Sequence, residues 1–239
     1  MTTQQSPGPY PKNGLIGWFD GIWNIGVEQH SNNTIVWKNL GSGGSIYDAT
    51  YMDGTVNWSD DSHNFVYSSG KCFLMQDSGI LVDHFDISSG GYSVQVVCMP
   101  TYQRTFSGMV GNEHRNGTYP LVFGQFQGAN RLFMLAGGRF EGAFVSINQI
   151  HTYTLIANVS DKTLTLYRDK ELINQAAATF NAPTASADVQ MAIGRGNCET
   201  SLTNRNFQGK IYCVRFYDRA LSPEEINATT TTDGNRFGF

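Results

Sequence analysis

Several things are scarce in this 239-residue chain, and each scarcity excludes something. No run of eighteen or more apolar residues occurs, so no segment reads as a transmembrane helix. Only 15 % of residues are charged, with 16 Lys and Arg against 20 Asp and Glu, a net charge of −4. Such a chain offers no basic stripe, which argues against nucleic acid as a partner. The start, M-T-T-Q-Q-S-P-G-P-Y-P, has neither a basic n-region nor an apolar h-region, so it does not read as a signal peptide. Cysteine is limited to Cys72, Cys98, Cys198 and Cys213, none spaced for a metal knuckle. Cys72, Cys98 and Cys213 lie in apolar runs and read as small buried hydrophobes in a reducing compartment. Cys198 sits in a polar loop, where a bridge to a neighbouring strand is left open. No G-x-S-x-G, H-E-x-x-H or phosphate loop is present, so no motif supplies a reaction, and the expectation is a non-enzyme.

What the chain has in quantity is glycine, 26 residues, and aromatics, 13 %. That mixture suits short strands, tight turns and a thick aromatic core. The length fits one large all-β domain or two small ones. Period-2 runs at 15–18, 34–37, 71–82, 92–99, 131–136, 153–159, 164–167 and 189–193 predict strands of two facing antiparallel sheets, a jelly-roll sandwich. In the late run 207–217, alternation directs Ile211, Cys213 and Phe216 inward and Tyr212 and Arg215 outward, with a slip near Val214. Only one helix signal follows. Ser222 takes the N-cap, Pro223 the first helical position, and Glu224 and Glu225 the first turn, with Glu225 completing a capping box. This predicts one short C-terminal helix over 222–228.

Three segments result: an extended N-terminal arm over 1–12, the sandwich over 13–228, and a polar tail over 229–239. Pro7, Pro9 and Pro11 bias the arm to extended conformations, which favours docking on a neighbouring chain. On that reading, deleting residues 2–11 leaves the melting temperature nearly intact.

The densest set of hydrogen-bonding side chains is V-G-N-E-H-R-N-G-T-Y-P. Here Asn112, Glu113, His114, Arg115, Asn116 and Tyr119 sit on a rim loop between apolar strands. A sugar site needs such planar polar groups beside an aromatic face. A solvated loop accounts for the same residues equally well. The set Asp60, Asp61 and His63 could bind a cation through oxygen ligands, so a bound calcium is left open, though a solvated loop fits these residues better. Asp83, His84 and Asp86 read best as turn caps. Trp18, Trp23, Trp37 and Trp58 read as core and hairpin packing before any role in stacking on a sugar.

The block G-K-I-Y-C-V-R-F-Y-D-R-A-L-S-P-E-E-I resembles the closing strand and helix of laminin G-like jelly rolls, in the concanavalin A-like lectin/glucanase superfamily. Gly14 to Asp20 resembles the first strand of these folds, and Tyr92 to Val97 the strand opening the central half. His151 to Leu155 with Leu164 to Asp169 resembles the hairpin that ends in Tyr, and Ala192 to Gly194 the strand before the last loop. The resemblance implies a concanavalin A-like fold and a lectin-like role, binding a glycan or cell-surface ligand. Glucanases of the superfamily carry an E-x-D-x-x-E-like strand, and this chain has none. A single such domain with a tail like D-G-N-R-F-G-F resembles phage and prophage proteins. That implies a virion protein, made in the cytoplasm and extracellular after host lysis, contacting other virion proteins through its arm and capable of forming a homo-oligomer. The alternatives are a purely structural domain of a particle and a glycoside hydrolase with an unrecognised site.

Overall fold

The computed structural model describes residues 9–51, 56–59, 66–69, 73–75, 91–102, 107–111, 122–126, 131–135, 139–178, 191–195 and 207–239. Two antiparallel sheets face each other. The strands, in chain order, are β1 (Leu15–Asp20), β2 (Val36–Trp37), β3 (Ala49–Tyr51), β4 (Val66–Ser69), β5 (Phe73–Met75), β6 (Tyr92–Pro100), β7 (Ser107–Gly111) and β8 (Val122–Phe126). There follow β9 (Arg131–Leu135), β10 (Arg139–Phe144), β11 (His151–Asn158), β12 (Thr163–Arg168), β13 (Glu171–Ala177), β14 (Ala192–Ile193) and β15 (Gln208–Tyr217). Among the described residues one α-helix is found, α1 (Pro223–Phe237), at the C-terminal end. The first sheet runs β1-β15-β6-β11-β12-β13, with β4 also pairing β15; the second runs β10-β9-β8-β7-β14-β5-β3-β2. The predicted jelly-roll sandwich is therefore the fold.

The core between the sheets follows from strict alternation. On β11, Tyr153, Leu155 and Ala157 join the inter-sheet cluster, with Val94, Val96 and Cys98 of β6 and Leu164 and Leu166 of β12. Aromatic edges fill one end: Trp37 meets Trp58 at 5.2 Å and Phe73 at 5.3 Å, both edge-on. That is the packing the quadrupoles of the rings favour. Trp18, Trp37 and Trp58 are buried, as core packing requires.

On β15 the alternation slips, and the slip matters. Ile211 pairs Cys98 while Cys213 pairs Val97, so one extra residue is inserted between them. Ile211, Val214 and Phe216 consequently face the inter-sheet core. Tyr212 and Cys213 lie together on the other face. Cys213 is thus outward, not inward as alternation alone predicts. Nor are Tyr212 and Arg215 solvated: they are 3 % and 0 % exposed, because α1 lies over them.

The helix is also longer than expected. It runs fifteen residues to Phe237 rather than stopping near Ala228, so 229–239 is not a separate tail. Its start is as predicted: the Ser222 Oγ accepts from the Glu225 N–H at 3.3 Å and the Glu225 carboxylate accepts from the Ser222 N–H at 3.0 Å. Its continuation through T-T-T-T-D-G-N runs against intrinsic propensity. The reason is tertiary. Ile226, Thr229, Thr230, Asp233 and Phe237 recur at helical spacing and are all buried against the sheet. Gly238, at φ +78°, ends the helix in the left-handed conformation.

The N-terminal arm is corrected in the same way. Residues 1–8 lie outside the described part, but Tyr10 is only 4 % exposed and packs edge-on to Trp18 at 5.3 Å. Tyr10 belongs to this domain and is not free to anchor a neighbour, so the boundary at residue 12 falls too late.

Candidate functional site

The rim loop singled out by sequence, with Asn112, Glu113, His114, Arg115, Asn116 and Tyr119, lies outside the described residues. Its flanks are described: β7 and β8 pair as a hairpin, with Gly111 opposite Val122. Asp60, Asp61, His63, Asp83, His84, Asp86, Cys72 and Cys198 also lie outside. Cys98 and Cys213 are free thiols, buried as expected. Burial pushes both well above the ordinary thiol range, so neither is a ready nucleophile. Among the described residues, no three His, Cys, Asp or Glu side chains are grouped to hold a metal ion.

Among the described residues, two polar clusters meet the C-terminal helix α1 at its buried face and at its end. The first is buried beneath α1. Asp233, 0 % exposed, sits on the helix face that meets the sheet. Its carboxylate accepts from Arg215 Nη1 at 2.7 Å and Nη2 at 2.5 Å, from the Tyr10 hydroxyl at 2.7 Å and from the Thr152 hydroxyl at 2.8 Å. Arg215 Nε donates to the Gln95 side-chain oxygen at 3.0 Å. The Gln95 amide then donates to the Thr154 and Thr229 hydroxyls at 3.0 and 2.9 Å. The guanidinium also lies 4.0 Å over the Tyr10 ring. Burial, then the Asp233 charge, raises the Tyr10 hydroxyl well above its ordinary value, so it stays protonated. With its carboxylate and guanidinium saturated and sealed from solvent, this cluster holds elements together and offers nothing to a ligand.

The second cluster lines an open groove of about 690 Å³ between the end of α1 and the turn joining β12 to β13. The turn is Arg168-Asp169-Lys170, and Asp169 takes φ +55°, a conformation Asp tolerates better than most residues. Each polar group of Asp169 is committed. Its N–H donates to the Thr152 carbonyl at 2.7 Å, and one carboxylate oxygen accepts from the Thr152 N–H at 2.9 Å. The other lies 2.7 Å from His151 Nδ1, and its carbonyl accepts from the Thr230 hydroxyl at 3.1 Å. The turn is thus pinned to β11 on one side and to α1 on the other. Arg168 pairs with Glu171 at 2.9 Å. Asn235 and Phe239 complete the wall from the helix end.

Glycoside hydrolysis needs one carboxyl as acid and a second as nucleophile or base. The groove's carboxylates, Asp169 and Glu171, are held by an imidazole and a guanidinium respectively. What the groove presents is planar hydrogen-bonding groups beside an aromatic ring. Sequence reasoning missed it because its parts come from 149–151, 168–171 and 230–239. Each looked like an ordinary turn or tail alone.

Residues 74–227 match the laminin G-like family described as the concanavalin A-like lectin/glucanases superfamily. The chain belongs to that superfamily. Among curated proteins no sequence match was found. Solved structures with the same fold include Trypanosoma rangeli sialidase, at 12 % identity and a TM-score of 0.60, covering 96 % of this chain and 34 % of that one. The chain therefore spans about a third of the length of the sialidase it matches. A second is domain 4 of AbnA, a GH43 extracellular arabinanase from Geobacillus stearothermophilus, in complex with arabinotriose. It is 16 % identical with a TM-score of 0.62, covering 91 % of this chain and 98 % of that one. A third is the CBM40 of the Ruminococcus gnavus IT-sialidase bound to α2,3-sialyllactose, at 18 % identity, TM-score 0.50, 59 % of this chain and 82 % of that one. At these identities the likeness is one of fold.

Proposed function

We propose that this domain is a non-catalytic, lectin-like module that binds a glycan. The observation that carries the reading is coextension with an oligosaccharide-bound domain. The arabinanase domain solved with arabinotriose matches this chain almost end to end, 91 % of one and 98 % of the other. There the same architecture is one domain of an arabinanase, solved with the trisaccharide. Supporting the non-catalytic half, the chain has no E-x-D-x-x-E-like strand, and the two carboxylates of the groove are each held by a basic side chain.

The finer part of the proposal is context. We place the module on a virion or similar particle, on its sequence resemblance to phage proteins, with the rim loop at 112–119 as one face toward a host glycan. A glycan array probed with the purified protein, with and without a chelator, tests the reading. Binding to a coherent set of glycans is expected. An array blank under both conditions leaves a purely structural role. Sustained release of reducing sugar from polysaccharides, abolished by Glu113→Gln, makes the protein a hydrolase instead.

A further inference from the structure

We infer that the groove between the end of α1 and the β12–β13 turn is an oligosaccharide site for neutral sugars, with Phe239 as its stacking face. The inference rests on the glycan-binding reading and adds to it a place and a ligand class.

The groove is preorganised. Asp169 is bonded to both β11 and α1, so the turn that carries Arg168 and Glu171 cannot drift relative to the helix without breaking those bonds. A ligand entering such a wall meets groups already ordered, which lowers the entropic cost of binding. Its volume of about 690 Å³ falls in the range of small-molecule sites.

The aromatic is placed by design of the backbone. Phe239 remains 41 % exposed, unlike Phe237 two residues earlier, which is fully buried. It is nonetheless fixed. The Gly238 and Phe239 N–H groups both donate to the Gly234 carbonyl, at 2.9 and 3.3 Å. That return is possible only because residue 234 lacks a side chain: a Cβ there would lie 2.7 Å from the Phe239 carbonyl oxygen. A helix interior ordinarily disfavours glycine, so this glycine serves the position of Phe239. A held, half-exposed ring beside polar groups is what a sugar ring with one apolar face and a rim of hydroxyls requires.

Charge selects the class. Arg168 is bonded to Glu171, so the guanidinium of the wall is already matched by a carboxylate, and the Asp169 carboxylate is held by the His151 ring. Lys170 is exposed and solvated. An acidic sugar is gripped best by an uncommitted guanidinium, whose fork matches its carboxylate; Lys170 offers only a solvent-facing point charge, and Arg168 would have to leave Glu171. Neutral sugars ask only for donors and acceptors, which Gln149, Asn235 and the paired side chains present.

The test is calorimetric titration of the intact protein with arabinotriose, xylotriose, maltotriose and α2,3-sialyllactose. At least one neutral trisaccharide is expected to bind more tightly than sialyllactose. Phe239→Ala should weaken it about tenfold at unchanged melting temperature, while Phe239→Tyr should retain it. Arg115→Ala is the competing variant: it reads whether the neutral sugar is held at the rim loop instead. Tighter binding of sialyllactose overturns the neutral class. Neutral binding that survives Phe239→Ala but is lost in Arg115→Ala overturns the groove and leaves the glycan-binding reading standing. If none of the four binds and the glycan array is also blank, both fall together.

Discussion

The two faces of the first sheet solve the same problem by different chemistry. The inner face buries Val94, Val96, Tyr153, Leu155, Val214 and Phe216 against the opposing sheet. The outer face of the same strands carries Gln95, Thr152, Thr154 and Arg215, equally buried, beneath one helix. Inside, stability comes from apolar area and close packing, and each residue contributes nearly independently. Outside, the polar groups are tolerable only as a closed set. Arg215, Asp233, Tyr10, Gln95, Thr152, Thr154 and Thr229 come from five segments, and the loss of any one leaves its partners short of a bond. The inner face therefore specifies the sandwich, and the outer face specifies where the chain's two ends dock on it.

The comparison can be broken hardest at its centre. Asp233→Ala should cost about 3–5 kcal/mol, because it leaves Arg215 charged and buried without a partner. Phe19→Ala in the inner core should cost a similar amount, about 3–5 kcal/mol, by leaving a cavity. The two differ in rescue. Combining Arg215→Met, Asp233→Leu and Tyr10→Phe should recover roughly half or more of the Asp233→Ala loss, since it removes the buried charge and leaves only the neutral Gln95 oxygen and Thr152 hydroxyl short of a partner. Urea denaturation of each variant reads this directly. If the triple variant is no more stable than Asp233→Ala, the outer cluster is held by shape and not by charge.

Next in size is the arm. Tyr10→Phe removes one hydrogen bond to a buried carboxylate and should cost about 1.5–3 kcal/mol. For a domain of this length that lowers the melting temperature by about 2–4 °C per kcal/mol. Deleting residues 2–11 should lower it further. A deletion variant that melts like wild type would mean that Tyr10 contributes nothing to the outer face.

Smaller is the helix start. Ser222→Ala removes the N-cap and half of its capping box and should cost about 1 kcal/mol. An unshifted melting curve would place the hold on α1 entirely in its buried stripe.

The smallest effect is acid. Arg219, bonded to Glu225 at 2.6 and 2.7 Å, holds that carboxyl below its usual range. A lowered folded-state value stabilises above the unfolded pKa and is lost as pH falls through the folded one. Stability should thus decline below about pH 4.3. The pair keeps contact with solvent, its side chains 25 % and 28 % exposed, so the loss should stay under about 1 kcal/mol. Asp20, whose carboxyl burial raises, pulls the other way. The readout is therefore the difference between wild type and Arg219→Ala across pH 5 to 3. Identical slopes would show that this ion pair does not couple to folding.

Sequence by itself determined the strands of the inner face and the start of the helix. Alternation on β11 sets Tyr153, Leu155 and Ala157 on the face toward the inter-sheet core, and S-P-E-E satisfies its own backbone groups within four residues. Both are local rules, readable without knowing what lies nearby. It also carried the family, through the closing block around β15. Tertiary structure alone decided the rest. The bulge at Tyr212 moved Cys213 to the outer face, because one inserted residue reverses every side chain beyond it. T-T-T-T-D-G-N became helix because Asp233 found Arg215, eighteen residues away, and Tyr10, 223 residues away. The groove arose where His151, Asp169 and Phe239 converge from three separate segments. None of these is a property of any one segment. Polar residues pay to be buried unless their partners are already in place, and the partners are set by topology.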